Sequence, residues 1–308
     1  MVTASIYSAG KTTQTVWKIQ KSNMTKVDDS ADYGGTITAL TEDTDYVYCG
    51  GFDTSTVWKI QKSNMTKVDE SDPYFDIAGA VLSLTEDDDY VYCGGSMLLS
   101  WPVWKIQKSD MSKIDESDDY GGDIFALTED DAYIYCAGEI TQTVWKIQKS
   151  DMSKVSESTG YGGAILALTE DNAYVYCAGE ITQTVWKIQK SDMSKVSEST
   201  GYGGAILALT KDDAYVYCGG DTTETVWKIQ KSDMSKVSES TGYGGSIRAL
   251  AEDTAYIYCA GYTPQKVWKI RKSDMSKVSE SIDYGGTIYA LAGEEEEEAN
   301  AIFFGSNF

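Results

Sequence analysis

Apolar residues along this chain fall in short alternating runs of four to eight, and each run is closed by Gly, Asp, Ser or Asn. Residues 164–204 show the pattern: AILALTEDN, AYVYCAGEI, TQTVWKIQKSD, MSKVSES and TGYGG. Val, Ile, Tyr and Trp dominate the apolar positions, which suits a pleated, half-buried surface. No window carries the i, i+3, i+4, i+7 spacing of an amphipathic helix. The pattern therefore predicts four short strands in each 41-residue stretch.

The stretch recurs. A VWK element places its tryptophan at Trp17, Trp58, Trp104, Trp145, Trp186, Trp227 and Trp268, at spacings of 41, 46, 41, 41, 41 and 41. Residues 137–177 and 178–218 differ at two positions only, Glu170 against Lys211 and Asn172 against Asp213. Four strands at a period near 40 are the size of one propeller blade. With strands named A (innermost) to D (outermost), the chain opens in a B strand, Ser5–Gly10, and its first A strand falls at Thr36–Thr41. A seventh A strand, Thr287–Leu291, has no C or D strand after it. The expectation is an all-β, seven-bladed β-propeller of four antiparallel strands per blade, the N- and C-terminal strands sharing one blade.

Residues 1–293 are thus expected to form one propeller domain, and 294–308 an acidic linker and a spare strand-like tail. Residues 301–306, AIFFGS, are a degenerate further copy of strand B, open to self-association by strand addition.

The register of an acidic turn, YVYCAG and TVWKIQKSD resembles the YVTN-type branch of the tryptophan–aspartate-repeat propeller group. Units of the type TQTVWK…KSD…YGG are also similar to repeats in bacterial surface and phage-tail-like proteins. The resemblance spans nearly the whole chain and implies the propeller fold and a surface or virion context. It carries no catalytic residues with it.

Charge narrows the partners. Lys+Arg is 26 against Asp+Glu 48, a net charge of −22, which repels nucleic-acid backbones and anionic membranes. There is no histidine, which removes the commonest general base and metal ligand. An enzyme is not expected, and neither is a cofactor or a metal. No apolar stretch reaches membrane-span length, and Met1–Ile6 lacks the form of a secretory signal. Cys49, Cys93, Cys136, Cys177, Cys218 and Cys259 occupy one position in strand B of six blades, with Ser8 in the seventh. Neighbouring sheets stand about 10 Å apart, too far for a disulfide, so buried free thiols are expected, which suit a reducing compartment or a virion assembled in the cytoplasm.

The near-copies diverge in the B–C and D–A loops, at the end of the ring away from the acidic A–B turns and the KSDMSK hairpins, where acid and base are expected to alternate around the face with one break at Lys211. The diverging end carries one tyrosine in each D–A loop, beside a glycine pair in every blade but the third: Tyr33, Tyr74, Tyr120, Tyr161, Tyr202, Tyr243 and Tyr284. Exposed rings flanked by Thr and Gln would suit a sugar or a polar peptide. Tyr262 and the longer loop Met97–Pro102, with Trp101, extend the same candidate surface. Inside strand A one position diverges: Thr38, Leu82, Phe125, Leu166, Leu207, Arg248 and Tyr289; Arg248 and Tyr289 are expected to line the channel. The reading is a binding module for a glycan or protein. The alternatives are a structural spacer or assembly subunit, and an amplified or engineered propeller with no evolved ligand.

Overall fold

The computed structural model describes residues 4–74, 79–96 and 100–293. Seven four-stranded antiparallel sheets form, each in the order A-B-C-D. Blade 5 is typical, with strands Ile165–Glu170, Tyr174–Gly179, Trp186–Gln189 and Lys195–Glu198. Blade 1 combines the last strand, Ile288–Gly293, with Ser5–Gly10, Trp17–Gln20 and Thr25–Asp29. Ser8 lies opposite Leu291 in that pair, so the first and last strands close the ring. The first A strand is Ile37–Glu42, one residue later than its pattern suggests. The linker and spare strand, like Met97–Leu99 of the long loop, lie outside the described residues.

Turn chemistry accounts for the strand ends. In the A–B turn of blade 5, Asp171 Oδ1 accepts the backbone N–H groups of Ala173 and Tyr174 at 3.1 and 2.9 Å. The acidic turns are hairpin caps of this kind. In the C–D hairpin the Asp192 carboxylate accepts the N–H and hydroxyl of Ser194, at 3.0 and 2.7 Å. Met193 between them takes a left-handed backbone, φ 56°, a costly conformation for a side chain. Its side chain is fully buried among Tyr135, Val175 and Trp186, and that burial holds the strained residue in place.

Side chains alternate along strand B, so Tyr135 and Ala137 on one face of blade 4 meet Val175 and Cys177 of blade 5. The same cluster recurs between blades 5 and 6, with Tyr176 and Ala178 against Val216 and Cys218. All six cysteines are free and buried. Burial pushes each thiol pKa well above its ordinary value, so they stay protonated.

Polar contacts then lock the apolar faces. Lys187 of strand C lies over the Tyr174 ring, 4.0 Å from its centroid, and its ammonium donates to the Lys231 carbonyl of blade 6 at 2.7 Å. Equivalent bonds run from Lys146 to Lys190 and from Lys269 to Lys21, so they cross the closure as well.

Ser8 is the exception at the cysteine position. Its hydroxyl is buried and has no hydrogen-bond partner among the described residues. An unsatisfied buried hydroxyl costs about 1 kcal/mol or more, whereas a thiol there would be a small apolar group. Ser8→Cys is therefore expected to stabilise the fold by about 1 kcal/mol, read as a higher urea midpoint with an unchanged slope.

Candidate functional site

The D–A loop tyrosines are not a surface. Tyr33, Tyr74, Tyr120, Tyr161, Tyr202, Tyr243 and Tyr284 are all 1–2% exposed, which corrects the expectation of open rings. Tyr161 packs on Trp186 with centroids 5.0 Å apart, and its hydroxyl donates to the Thr184 carbonyl at 2.6 Å. Tyr33, Tyr120, Tyr202, Tyr243 and Tyr284 make the matching bond to Thr56, Thr143, Thr225, Lys266 and Thr15. Burial pushes the Tyr161, Tyr202 and Tyr284 hydroxyls up to about 12. In the six loops that read YGG, the glycine pair lets the ring turn inward. Gly162 takes φ +93°, and a Cβ on Gly163 would stand 2.8 Å from the Ile181 side chain. The connection can therefore lie flat on the B–C loop and carry its tyrosine beneath it.

Other side chains take the exposed positions. Tyr262 is 58% exposed, as its loop position suggested. Trp101 is half-buried, its indole N–H donating to Asp123 Oδ1 and its backbone N–H to Asp119 Oδ1, both at 2.9 Å. It packs against the core cluster of Tyr120 and Trp145, so it is pinned by its neighbouring loop. The sequence reading missed Phe52, Ile140 and Ile181, exposed by 44, 64 and 70%. All three stand in B–C loops. The available signal was an apolar residue inside an otherwise polar loop, as in EITQT.

Arg248 and Tyr289 come together on the innermost strands of blades 7 and 1. The guanidinium carbon lies 5.5 Å from the Tyr289 ring centroid, within cation–π range.

The opposite end carries an ion-pair belt. Lys190 joins Glu170 of its own blade at 2.5 Å and Asp130 of the preceding blade at 2.8 Å. Lys149 joins Glu129 and Asp87 in the same way, and Lys108 joins Glu86 and Asp43. Each aspartate also accepts a strand B tyrosine hydroxyl, as Asp130 does from Tyr135 at 2.9 Å. The alternation of acid and base expected at this end is thus a set of direct bonds between blades. Lys211 stands where blades 2, 3, 4, 5 and 7 have Glu, and among the described residues Lys231 beside it keeps an ion pair with Asp171 alone, at 3.1 Å.

Two cavities of about 800 and 700 Å³ open at this end, between blades 3 and 4 and between blades 4 and 5. Asp88, Asp89, Glu129 and Asp131 line the first, together with Lys105 and Lys149. No group of three or more acidic or cysteine side chains is placed to hold a metal ion among the described residues. No helix of the described residues is long and apolar enough to cross a membrane.

With this geometry the likeness to solved structures follows. No protein-family model matches the chain, and no curated protein matches it in sequence. The computationally designed Ika8 protein is similar in structure, with a TM-score of 0.71 and 15% identity, covering 94% of this chain and 90% of that one. The WD40 β-propeller domain of Doa1 is similar with a TM-score of 0.69 and 12% identity, covering 82% and 84%. The chain is a β-propeller. At these identities the likeness establishes the fold of the molecule and leaves its ligand to the residues themselves.

Two predictions come from the belt. Lys211→Glu gives Lys231 the partner found in other blades and should stabilise by about 0.5–1 kcal/mol, less in high salt. Denaturant midpoints at two ionic strengths check this. The second concerns pH. Burial pushes Asp43, Asp87, Asp130, Asp171, Asp212 and Asp253 up, but bonds from lysine, tyrosine and backbone N–H groups outweigh it and hold them below the usual range. Burial pushes Glu86, Glu129 and Glu252 up despite their lysines. The lowered aspartates stabilise the fold above their ordinary value and lose that contribution as pH falls through the folded one. The raised glutamates act in the opposite sense, because their protonation favours the fold. Thermal midpoints should therefore hold or rise between about pH 7 and 5, then collapse below about pH 3.5.

Proposed function

We propose that this chain is a non-enzymatic binding module that engages a protein partner through the B–C/D–A end of the ring. The observation that carries this reading is the exposure of Phe52, Ile140, Ile181 and Tyr262 in the B–C loops of blades 2, 4, 5 and 7, all at one end of the ring. Large apolar side chains open to water on one surface mark a contact region. Asp53, Glu139 and Glu180 stand beside Phe52, Ile140 and Ile181 in the same loops, so the matching partner combines apolar with basic groups.

Repetition supports the reading. The identical EITQT loops of blades 4 and 5 offer two equivalent weak sites whose combined occupancy is stronger than either alone. The WD40 domain of Doa1 supports it by analogy of fold alone. The resemblance to repeats of bacterial surface and phage-tail-like proteins supports a surface or virion setting for such a module. Catalysis fits poorly, because the chain has no histidine and its thiols are buried and protonated.

Selection of a random-peptide display library on the immobilised chain should enrich peptides that pair aliphatic or aromatic residues with Lys or Arg. Those peptides should bind Ile140→Ser/Ile181→Ser at least tenfold more weakly, while the exposed positions leave the fold intact. Equal binding to both chains would remove the proposal. Saturable binding on a glycan array, lost in Trp101→Ala/Tyr262→Ala, would transfer the site to a carbohydrate.

A further inference from the structure

Each innermost strand carries a bulge at one equivalent position. In blade 5 Ile165 pairs with Gly179 and Ala167 with Ala178, so Leu166 is left out of the ladder. The same skip falls at Tyr289, Thr38, Leu82, Phe125, Leu207 and Arg248. A bulged residue is turned out of the regular alternation. On the innermost strand that sets these seven side chains around the axis, neither core nor fully exposed. Neighbours touch around the ring: the Thr38 hydroxyl donates to the Val81 carbonyl at 2.6 Å, and Arg248 stands over Tyr289.

The order around the ring divides this wall in two. Blades 3 to 6 contribute Leu82, Phe125, Leu166 and Leu207, an unbroken apolar arc. Blades 7, 1 and 2 contribute Arg248, Tyr289 and Thr38, an unbroken polar arc. Arg248 is the unusual member. Its Nε is buried without a hydrogen-bond partner, and its guanidinium joins no ion pair among the described residues, in a chain with 48 carboxylate side chains. A guanidinium has five donors in a fixed plane and no acceptor, and a buried unpaired donor is costly. Its natural complement is a planar carboxylate bound through two parallel N–H···O bonds.

We propose that the channel at this ring binds a small amphipathic carboxylate. Arg248 takes the carboxylate group, Tyr289 holds the guanidinium from its face, and the arc from Leu82 to Leu207 receives the apolar body. The site is separate from the B–C loop surface in residues and in ligand class. The net charge of −22 slows the approach of an anion. It acts across solvent, whereas the guanidinium acts at contact, so selectivity for carboxylate is set in the channel.

Octanoate is the probe, with octanol as its uncharged counterpart and calorimetric titration as the readout. Octanoate should bind saturably with one site per chain, and octanol at least tenfold more weakly. Arg248→Leu installs the residue of blades 3, 5 and 6 and so suits the fold; it should weaken octanoate at least tenfold, with a thermal midpoint equal to or above that of the wild type. Leu166→Thr, which copies blade 2, should weaken octanoate in wild type several-fold. Ile140→Ser/Ile181→Ser should leave octanoate binding unchanged, which separates this site from the loop surface. Absence of saturable binding, equal affinity in Arg248→Leu, or octanol matching octanoate would each overturn the proposal.

Discussion

Every blade of this ring is apolar on both faces, and no blade can bury them alone. Tyr176 and Ala178 need the blade on one side, while Val175 and Cys177 need the blade on the other. The requirement passes from blade to blade until the sheet built from both chain ends absorbs it. Ring closure is therefore a condition of burial for all seven sheets.

The charged residues follow from that condition. Sheets packed face to face leave strand edges and hairpins close together, and the chain places lysines where each can reach a carbonyl or a carboxylate of the neighbouring blade. Lys187 shows one form, over an aromatic ring and bonded to a backbone oxygen. Lys190 shows the other, between two carboxylates. A large share of the positive charge is thus committed to seams between blades. The acidic surplus lies at the surface, where it keeps apart molecules with many near-identical edges.

Strand order, ring closure and the free thiols were legible in the sequence because they rest on period and alternation, which the repeats state many times over. The alternation of acid and base at one end was legible from connectivity. Its bonding was not, since the reach of Lys190 into the preceding blade depends on the distance between sheets. The YGG tyrosines misled for a local reason. A tyrosine beside glycines in a loop resembles an exposed ring, but Gly163 admits close contact with Ile181 and the tyrosine goes under. That same packing lifts Ile181 into water, so one contact explains both the buried ring and the exposed apolar residue that the pattern did not announce.

The pairing of Ser5–Gly10 with Ile288–Gly293 has a mechanical meaning. The strands are antiparallel, and Ile6 lies opposite Gly293, so both chain ends leave the pair at one end of the ring. Tension drawn between residues 5 and 293 loads the hydrogen bonds of this pair singly, in sequence, like a zip. Tension between two strands leaving at opposite ends would load all of them together. The junction that completes the ring at equilibrium is thus the one that a pull on its termini opens first, and the other six blades remain shielded until it has parted.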